Sequence, residues 1–182
     1  MGKGNSDYAS VTLQRYLTRE EVPFEAANAL LLEHTKMMLG RMVKGGGPHF
    51  DIMLHVTGFW EKFDQVLPPV GSFYLAWSAS GELLGTGALR TVSPGVGEMK
   101  HLYVRPEARG IGLGRALVEA RIADARAMGI KTLLADTFAA NPEMPALYDQ
   151  MGFERVAPFD LGGTATISPE LVDHMLFFRM AL

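Results

Sequence analysis

The most constraining feature of this 182-residue sequence is a glycine triplet, Gly110, Gly112 and Gly114, that separates two segments of different periodicity. The segment before it, Glu98 to Val104, has the character of a strand, and the segment after it, Gly114 to Met128, has apolar residues at helical spacing. Glycines at alternate positions let the backbone turn tightly and point several N–H groups into one space, which suits phosphate oxygens. The sequence therefore predicts a strand, an anion-binding turn and a helix in succession.

The remaining elements follow from apolar periodicity and from turn residues. The short apolar run from Thr132 to Ala135 predicts a buried strand parallel to the one before the helix, which completes a β-α-β unit. Further helices are predicted at Pro23–Met38, Asp51–Phe63 and Met144–Met151. Further strands are predicted at Val11–Leu17, Ser72–Trp77, Leu83–Thr91, Phe153–Val156 and His174–Met180, with a glycine-rich loop at Leu161–Thr164. This order implies an α/β (α+β) fold with a mixed sheet and helices on both faces.

Composition narrows the function classes. With 48% hydrophobic residues, the chain can bury the core of a single domain covering residues 1–182. Because the sequence has 17 basic and 20 acidic residues, we expect no nucleic-acid partner. Because no apolar run reaches about 20 residues, we expect no membrane span. The absence of cysteine fits a reducing, cytoplasmic location and excludes a cysteine nucleophile. The five histidines lack metal-ligand spacing, so we expect no metal site and surface or core positions for them.

The glycine turn does not match the common nucleotide-binding patterns. A dinucleotide fingerprint, G-x-G-x-x-G, would need a third glycine at the position of Arg115 or Leu117. Asp136 ends the next strand at about the spacing of a ribose-binding acid, so a nicotinamide cofactor is disfavoured without being excluded. A P-loop would need Gly-Lys-Ser/Thr after the turn, and none follows.

Two motifs at the right separation resemble the GNAT family of N-acetyltransferases. The family signature Arg/Gln-x-x-Gly-x-Gly/Ala is matched by Arg109, Gly112 and Gly114. Its downstream pattern Asn-x-x-Ala-x-x-Leu-Tyr-x-x-x-Gly-Phe is matched by Asn141, Leu147, Tyr148, Gly152 and Phe153. Met144 departs from the small residue of that pattern, with Pro145 in the first turn of the helix. The resemblance covers residues 71–182 well and residues 1–70 only in their general helical character.

The resemblance implies a single-domain fold with a mixed, mostly antiparallel sheet of about six to seven strands and a central β-α-β cofactor unit. It implies acetyl-CoA as the donor, with residues 71–182 as its binding core and residues 1–70 contributing to the acceptor site. The pantetheine arm is expected between the strand ending at Val104 and the strand Thr132 to Asp136. The residues expected to bind the cofactor are Leu102, Tyr103, Val104, Arg109, Gly110, Gly112, Gly114, Arg115 and Asn141.

Two side chains are predicted to handle protons. Tyr148 matches the family position whose hydroxyl reaches the departing thiolate, which makes it the predicted general acid. Glu98 begins the strand before the turn and is one candidate for the general base that an amine needs at neutral pH. The alternative for Glu98 is a carboxylate that binds substrate or pairs with Lys100 or Arg90. Without a cysteine, direct attack within a ternary complex is expected.

The resulting prediction is an acetyl-CoA-dependent N-acetyltransferase that modifies a primary amine of a small molecule. A protein or peptide N-acetyltransferase is one alternative, because the acceptor side comes from the weakly matched first 70 residues. A non-catalytic acyl-CoA sensor is the alternative from another class. The sequence leaves open the acceptor, the use of acyl groups other than acetyl, and whether two copies form a homodimer.

Overall fold

The structure is a computed structural model that describes residues 10–159 and 169–182. The predicted loop Leu161–Thr164 lies outside the described residues. Seven strands are present in the described residues: β1 Val11–Tyr16, β2 Gly71–Ser78, β3 Leu83–Ser93, β4 Val96–Val104, β5 Thr132–Phe138, β6 Glu154–Val156 and β7 Met175–Ala181. Four α-helices accompany them: α1 Phe24–Lys44, α2 Ile52–Glu61, α3 Leu113–Ala127 and α4 Glu143–Gln150. Short 3-10 helices lie at Phe63–Val66, Pro106–Ala108 and Pro169–His174.

The strands form one sheet in the order β1-β2-β3-β4-β5-β7-β6. Among the described strands, β4 and β5 pair in parallel and every other neighbouring pair is antiparallel. Helix α3 connects β4 to β5, which is the crossover that a parallel pair requires. The predicted α/β fold, with its mixed, mostly antiparallel sheet and central β-α-β unit, is confirmed.

The helices cover both faces of the sheet because side chains of a strand alternate between its faces. On β2, Phe73 and Leu75 pack with residues of α1 and α2, whereas Tyr74 and Ala76 pack with residues of α3. The apolar stripe of α3 that the sequence predicts is buried, and its members are Leu117, Val118, Ile122 and Ala125. Tyr148 of α4 belongs to the same side.

Several elements are longer than predicted, α1 and β5 by three residues or more. Helix α1 continues past Met38 to Lys44 because Met42 is also buried, and the helix ends at Gly45, whose N–H bonds to the Arg41 carbonyl. Strand β5 continues past Ala135 to Phe138 because β7 pairs with it over its whole length. No helix in the described ranges combines the length and the hydropathy that crossing a membrane requires.

Candidate active site

The sheet opens between β4 and β5. Their parallel ladder runs from Val96–Thr132 to Met99–Ala135 and ends there, although both strands continue. At the same level β4 bulges against β3, since Thr86 faces Tyr103 while Ala88 faces Lys100. The bulge includes His101, whose φ of 51° is unusual for a residue with a side chain. The bulge turns β4 away from β5 and leaves a gap in the middle of the sheet.

A groove of about 340 Å3 runs along this gap to the N-terminus of α3. All nine residues that the sequence analysis assigned to the cofactor line it: Leu102, Tyr103, Val104, Arg109, Gly110, Gly112, Gly114, Arg115 and Asn141. They come from the end of β4, the glycine turn, the start of α3 and the loop before α4. The structure therefore brings together residues that are up to 39 positions apart in the sequence.

The glycine turn leaves the N-terminus of α3 open. Gly112 precedes the helix in a left-handed conformation, with φ of 86°, and none of the described side chains caps the first turn. A Cβ atom added at Gly110 or Gly112 would meet no atom within 4 Å, so the space outside the turn is free for a ligand. Uncapped N–H groups at a helix N-terminus bind phosphate well, which makes this end of the groove suitable for a pyrophosphate.

A polar cluster that sequence reasoning missed closes one wall of the groove. Arg41 of α1 bonds both carboxylate oxygens of Glu143, at 2.6 and 2.7 Å, and the Asn141 Oδ1 atom at 2.6 Å. Arg109 bonds Glu143 at 3.0 Å and the Val104 carbonyl at 3.0 Å. Arg109 therefore holds the turn against β4 and α4, while Asn141 is fixed by Arg41 and Thr137. Arg41 lies in the long helix α1, and no sequence signal linked that helix to the glycine turn.

Arg115 lies at the start of α3 on the surface. Its guanidinium is 3.8 Å from the carboxylate of Glu119, one helical turn further on. This is an i,i+4 pair on the helix surface, and an exposed pair of this kind contributes little to stability. Arg115 also lines the groove, so its charge is available near the turn.

A second cavity, of about 140 Å3, lies where the strands separate. It shares His34, Leu102, Asn141 and Met144 with the groove, so the two spaces meet. Met144, the departure from the family pattern, thus lies at the junction. The other side chains around the second cavity come from α1, α2 and the residues just before it, β4, β5, α4 and β7. They include Met38, Phe50, His55, Lys100, Asp136, Phe138, Tyr148 and Met175.

Tyr148 reaches this cavity from α4. Its ring is buried between Phe153 and Phe178, with ring centroids 4.8 and 5.1 Å away. Its side chain lines the cavity, and no described residue bonds its hydroxyl. Burial raises the pKa of Tyr148 to about 12, and the nearby Arg121 guanidinium opposes that rise. The hydroxyl is therefore protonated at neutral pH and can donate a proton.

Glu98 lies below the opening rather than in it. Its side chain is 1% exposed, and it lines neither the groove nor the second cavity. It pairs with Arg90 at 2.7 Å and with Lys100 at 2.9 Å, the two partners of the alternative interpretation. Lys100 in turn pairs with Asp136 at 3.0 Å across the gap. These four side chains form a chain of alternating charges, and only its last two members line the cavity.

Three of the five histidines line this cavity, which sequence reasoning did not foresee: His34, His55 and His101. Burial lowers the pKa of all three, to about 4 for His34, where the nearby Arg41 and Arg109 add to the effect. They are therefore neutral at pH 7. His34 stacks on Tyr103 with ring centroids 4.9 Å apart, and His101 contacts Phe59 edge-on at 4.3 Å. Within residues 10–159 and 169–182, no group of three His, Asp or Glu side chains is arranged to hold a metal ion.

A fully buried arginine lies behind the bulge. Arg121 of α3 donates to the carbonyls of Leu117 and Ala88, at 2.9 and 3.0 Å, and more weakly to that of Lys100 at 3.4 Å. It thus bonds β3 and β4 at the level where their ladder is interrupted. Burial lowers its pKa to about 10, so the guanidinium remains charged. An arginine on the apolar face of a predicted helix is the sequence signal that identifies it.

An open mixed sheet that separates two parallel strands beside an uncapped glycine turn, with a buried tyrosine at the opening, is the architecture of an acyltransferase. The sequence model of the Acetyltransferase (GNAT) family matches residues 47–153. The chain belongs to this family, and it is an acetyltransferase of the GNAT type.

Individual relatives agree with this assignment. An IAA acetyltransferase of Azospirillum brasilense is 36% identical over 149 residues, which are 81% of this chain and 90% of that protein. A mycothiol acetyltransferase of Geodermatophilus obscurus is 37% identical over 95 residues, which are 49% of this chain but 30% of that protein. Among solved structures, a PaiA N-acetyltransferase of Thermoplasma acidophilum in complex with coenzyme A has the same fold. Its TM-score is 0.65 at 15% identity, and the match covers 95% of this chain and 99% of that one.

Proposed function

We propose that this protein transfers the acetyl group of acetyl-CoA to a primary amine of a small molecule. The observation that carries the proposal is the meeting of two cavities at the opening between β4 and β5. The groove along the glycine turn offers backbone donors for the coenzyme. The second cavity approaches the same opening from the side of α1 and α2, which leaves room for an acceptor.

The donor side fits coenzyme A by its chemistry. The uncapped first turn of α3 offers backbone N–H groups to a pyrophosphate, and the charge of Arg115 lies next to them. The end of β4 is unpaired on the side of β5, so the backbone of Leu102, Tyr103 and Val104 can bond an extended pantetheine arm like an added strand. A coenzyme A complex of a protein with the same fold supports this assignment.

The transfer proceeds in one complex that contains both substrates. The amine nitrogen bonds to the carbonyl carbon of the thioester, the bond between carbon and sulfur breaks, and the thiolate takes up a proton. Backbone N–H groups near Val104 would stabilise the carbonyl oxygen as it gains negative charge. No cysteine is available to carry the acetyl group, so a thioester on the protein is excluded.

Tyr148 is proposed as the general acid, since its side chain lines the cavity where the thiolate would form and its hydroxyl is protonated. The base role of Glu98 stays a prediction. Its ion pairs with Arg90 and Lys100 favour the alternative, in which Glu98 holds Lys100 in place and does not contact the amine.

A small acceptor is supported by the size and the position of the second cavity. Residues from the first 70 positions contribute to it, among them His34, Met38, Phe50 and His55, in agreement with an acceptor side built by α1 and α2. The relatives named for IAA and for mycothiol indicate that acetylation of non-protein acceptors occurs among similar sequences.

The test is a panel of primary amines assayed for release of free coenzyme A with a thiol reagent, with acetyl-CoA as the donor. We expect turnover with at least one small amine and intersecting double-reciprocal plots when both substrates are varied. Parallel plots would contradict a ternary complex. Tight binding of acetyl-CoA without turnover on any amine or peptide would favour the sensor instead.

A further inference from the structure

The floor of the acceptor cavity is an ion pair rather than a single charge. The Lys100 Nζ atom lies 3.0 Å from Asp136 Oδ2, and both side chains are 14% exposed. Both line the cavity at the point where β4 and β5 separate. Glu98, which pairs with Lys100 at 2.9 Å, is 1% exposed and lies behind them. The cavity therefore presents one ammonium and one carboxylate side by side.

Each member of this pair has unused hydrogen-bonding capacity. An ammonium group carries three donors, and Lys100 uses one on Glu98 and one on Asp136. An ionised carboxylate accepts at both oxygens, and within the described residues the Asp136 side chain is bonded by Lys100 alone. One donor on Lys100 and one acceptor on Asp136 thus remain, on two side chains that both line the cavity.

Lys100 stays charged at neutral pH. Burial by itself would lower the pKa of Lys100, but Asp136 and Glu98 outweigh it and raise that pKa above its usual range. Arg90 balances Glu98, so the four side chains carry no net charge. A ligand with a single charge would have to compete with an existing partner, and it would leave the other member of the pair without compensation.

A ligand that carries an ammonium and a carboxylate on the same carbon atom meets no such penalty. We propose that the acceptor is a free α-amino acid whose carboxylate accepts a hydrogen bond from Lys100 and whose ammonium donates one to Asp136. This inference rests on the proposed function and specifies its acceptor. A lysine side chain or a peptide N-terminus offers the ammonium without the neighbouring carboxylate, so both bind less well.

The rest of the cavity indicates which amino acids fit. Its other walls include Met38, Phe50, Phe138 and Met175, which favours an apolar side chain. His55 lines the same space, and its Nε2 atom is buried and has no partner among the described residues. A buried polar atom of this kind gains from a ligand that supplies its missing hydrogen bond.

In this arrangement Asp136 can accept the proton that the ammonium must lose before the nitrogen attacks. The ammonium of the bound amino acid transfers one proton to Asp136, and its nitrogen then bonds to the thioester carbon. The bond between carbon and sulfur breaks, the sulfur takes its proton from the Tyr148 hydroxyl, and the nitrogen gives up its second proton, which restores that hydroxyl. The products are the N-acetylated amino acid and free coenzyme A. Lys100 acts as a binding and positioning residue, since it holds the acceptor carboxylate and the Asp136 side chain together.

The test compares acceptors that differ only in the carboxylate. L-phenylalanine is paired with 2-phenylethylamine and with L-phenylalanine methyl ester, and L-leucine with 3-methylbutylamine, each assayed for release of coenzyme A. We expect kcat/KM of the free amino acid to exceed that of its partner by about 10- to 100-fold, the size of one charge-assisted hydrogen bond. In Lys100→Met this ratio should approach one, whereas Lys62→Met, an exposed control, should leave it unchanged.

The outcomes separate the inference from the proposed function. Equal or better turnover of the amines without a carboxylate overturns the inference and leaves amine acetylation intact. Preferential turnover of a peptide with a free N-terminus also overturns the inference. If neither these acceptors nor any amine of the panel releases coenzyme A, the proposed function itself is overturned. Even if Lys100→Met fails to fold, the ratio of kcat/KM values measured with the wild-type protein tests the inference.

Discussion

Replacing Gly87 with alanine should destabilise the protein because the buried arginine occupies the space that the new methyl group needs. A Cβ atom at position 87 would lie 3.0 Å from Nε and 3.1 Å from Cζ of Arg121. The guanidinium cannot move away cheaply, since it is fully buried and bonds the carbonyls of Leu117 and Ala88. The contact is therefore tighter than packed atoms normally allow.

The expected cost follows from two opposing effects. Overpacking of a core costs about 1 to 3 kcal/mol, and weakening a hydrogen bond from a charged group adds to it. Replacing glycine with alanine also restricts the unfolded chain, which returns about 0.4 to 1 kcal/mol. The net loss for Gly87→Ala is therefore about 2 kcal/mol. At an m-value of about 2 kcal/mol/M, the urea midpoint falls by about 1 M.

The assay is a double-mutant cycle with Arg121→Met, measured by urea denaturation. A methionine side chain has no guanidinium next to Gly87, so alanine should fit in that background at a cost below about 0.5 kcal/mol. The coupling between the two positions should then be about 1.5 kcal/mol. An equal cost of Gly87→Ala in both backgrounds would refute the reasoning, because the contact with Arg121 would then not be its cause.

Three further predictions concern the site. Tyr148→Phe should lower kcat by about 100-fold or more while the urea midpoint stays the same, and a rate within twofold of wild type would eliminate the general-acid role. Because burial raises the pKa of Tyr148 to about 12, its hydroxyl should cause no fall in the wild-type rate between pH 8 and 10. Glu98→Gln should lower turnover and shift the pH dependence of kcat/KM if Glu98 is the base, and an unchanged pH profile would remove it from that role. His34 has a folded-state pKa of about 4, below its ordinary 6.5, so the unfolded chain binds the proton first as pH falls. Stability should thus drop from pH 6.5 towards pH 4 and drop less in His34→Gln, as measured by urea midpoints across that range.

Much of the fold could be predicted because its signals are local. The glycine turn, the stripe of α3 and the short apolar β5 each depend on neighbours within one helical turn or one strand. The lengths of α1 and β5 were underestimated for a different reason. Both continue because distant segments bury them: Met42 belongs to a cluster with Phe138 and Phe177, and β7 pairs with all of β5.

The candidate site also has features that local sequence predicts and features that it does not predict. The residues assigned to the coenzyme follow a motif in which spacing and backbone conformation determine the chemistry, and the structure places all nine along one groove. The sequence named Lys100 and Arg90 as possible partners of Glu98, but that both pair with it, and that Asp136 lies at the cavity, depends on strand register, which local patterns do not fix. Arg41 reaches Asn141 across 100 positions of sequence, a contact that no local pattern predicts.

The sequence by itself determined the family, the β-α-β unit and the turn from Arg109 to Gly114, because glycine conformation and apolar spacing are properties of short segments. Only the tertiary structure decided which charges meet at the acceptor side. There the end of the β4–β5 ladder puts Lys100 opposite Asp136, and helices α1 and α2 bring apolar and histidine side chains over them. Electrostatic interactions act through space and across strands, so the nature of the acceptor cavity depends on folding as much as on the motif.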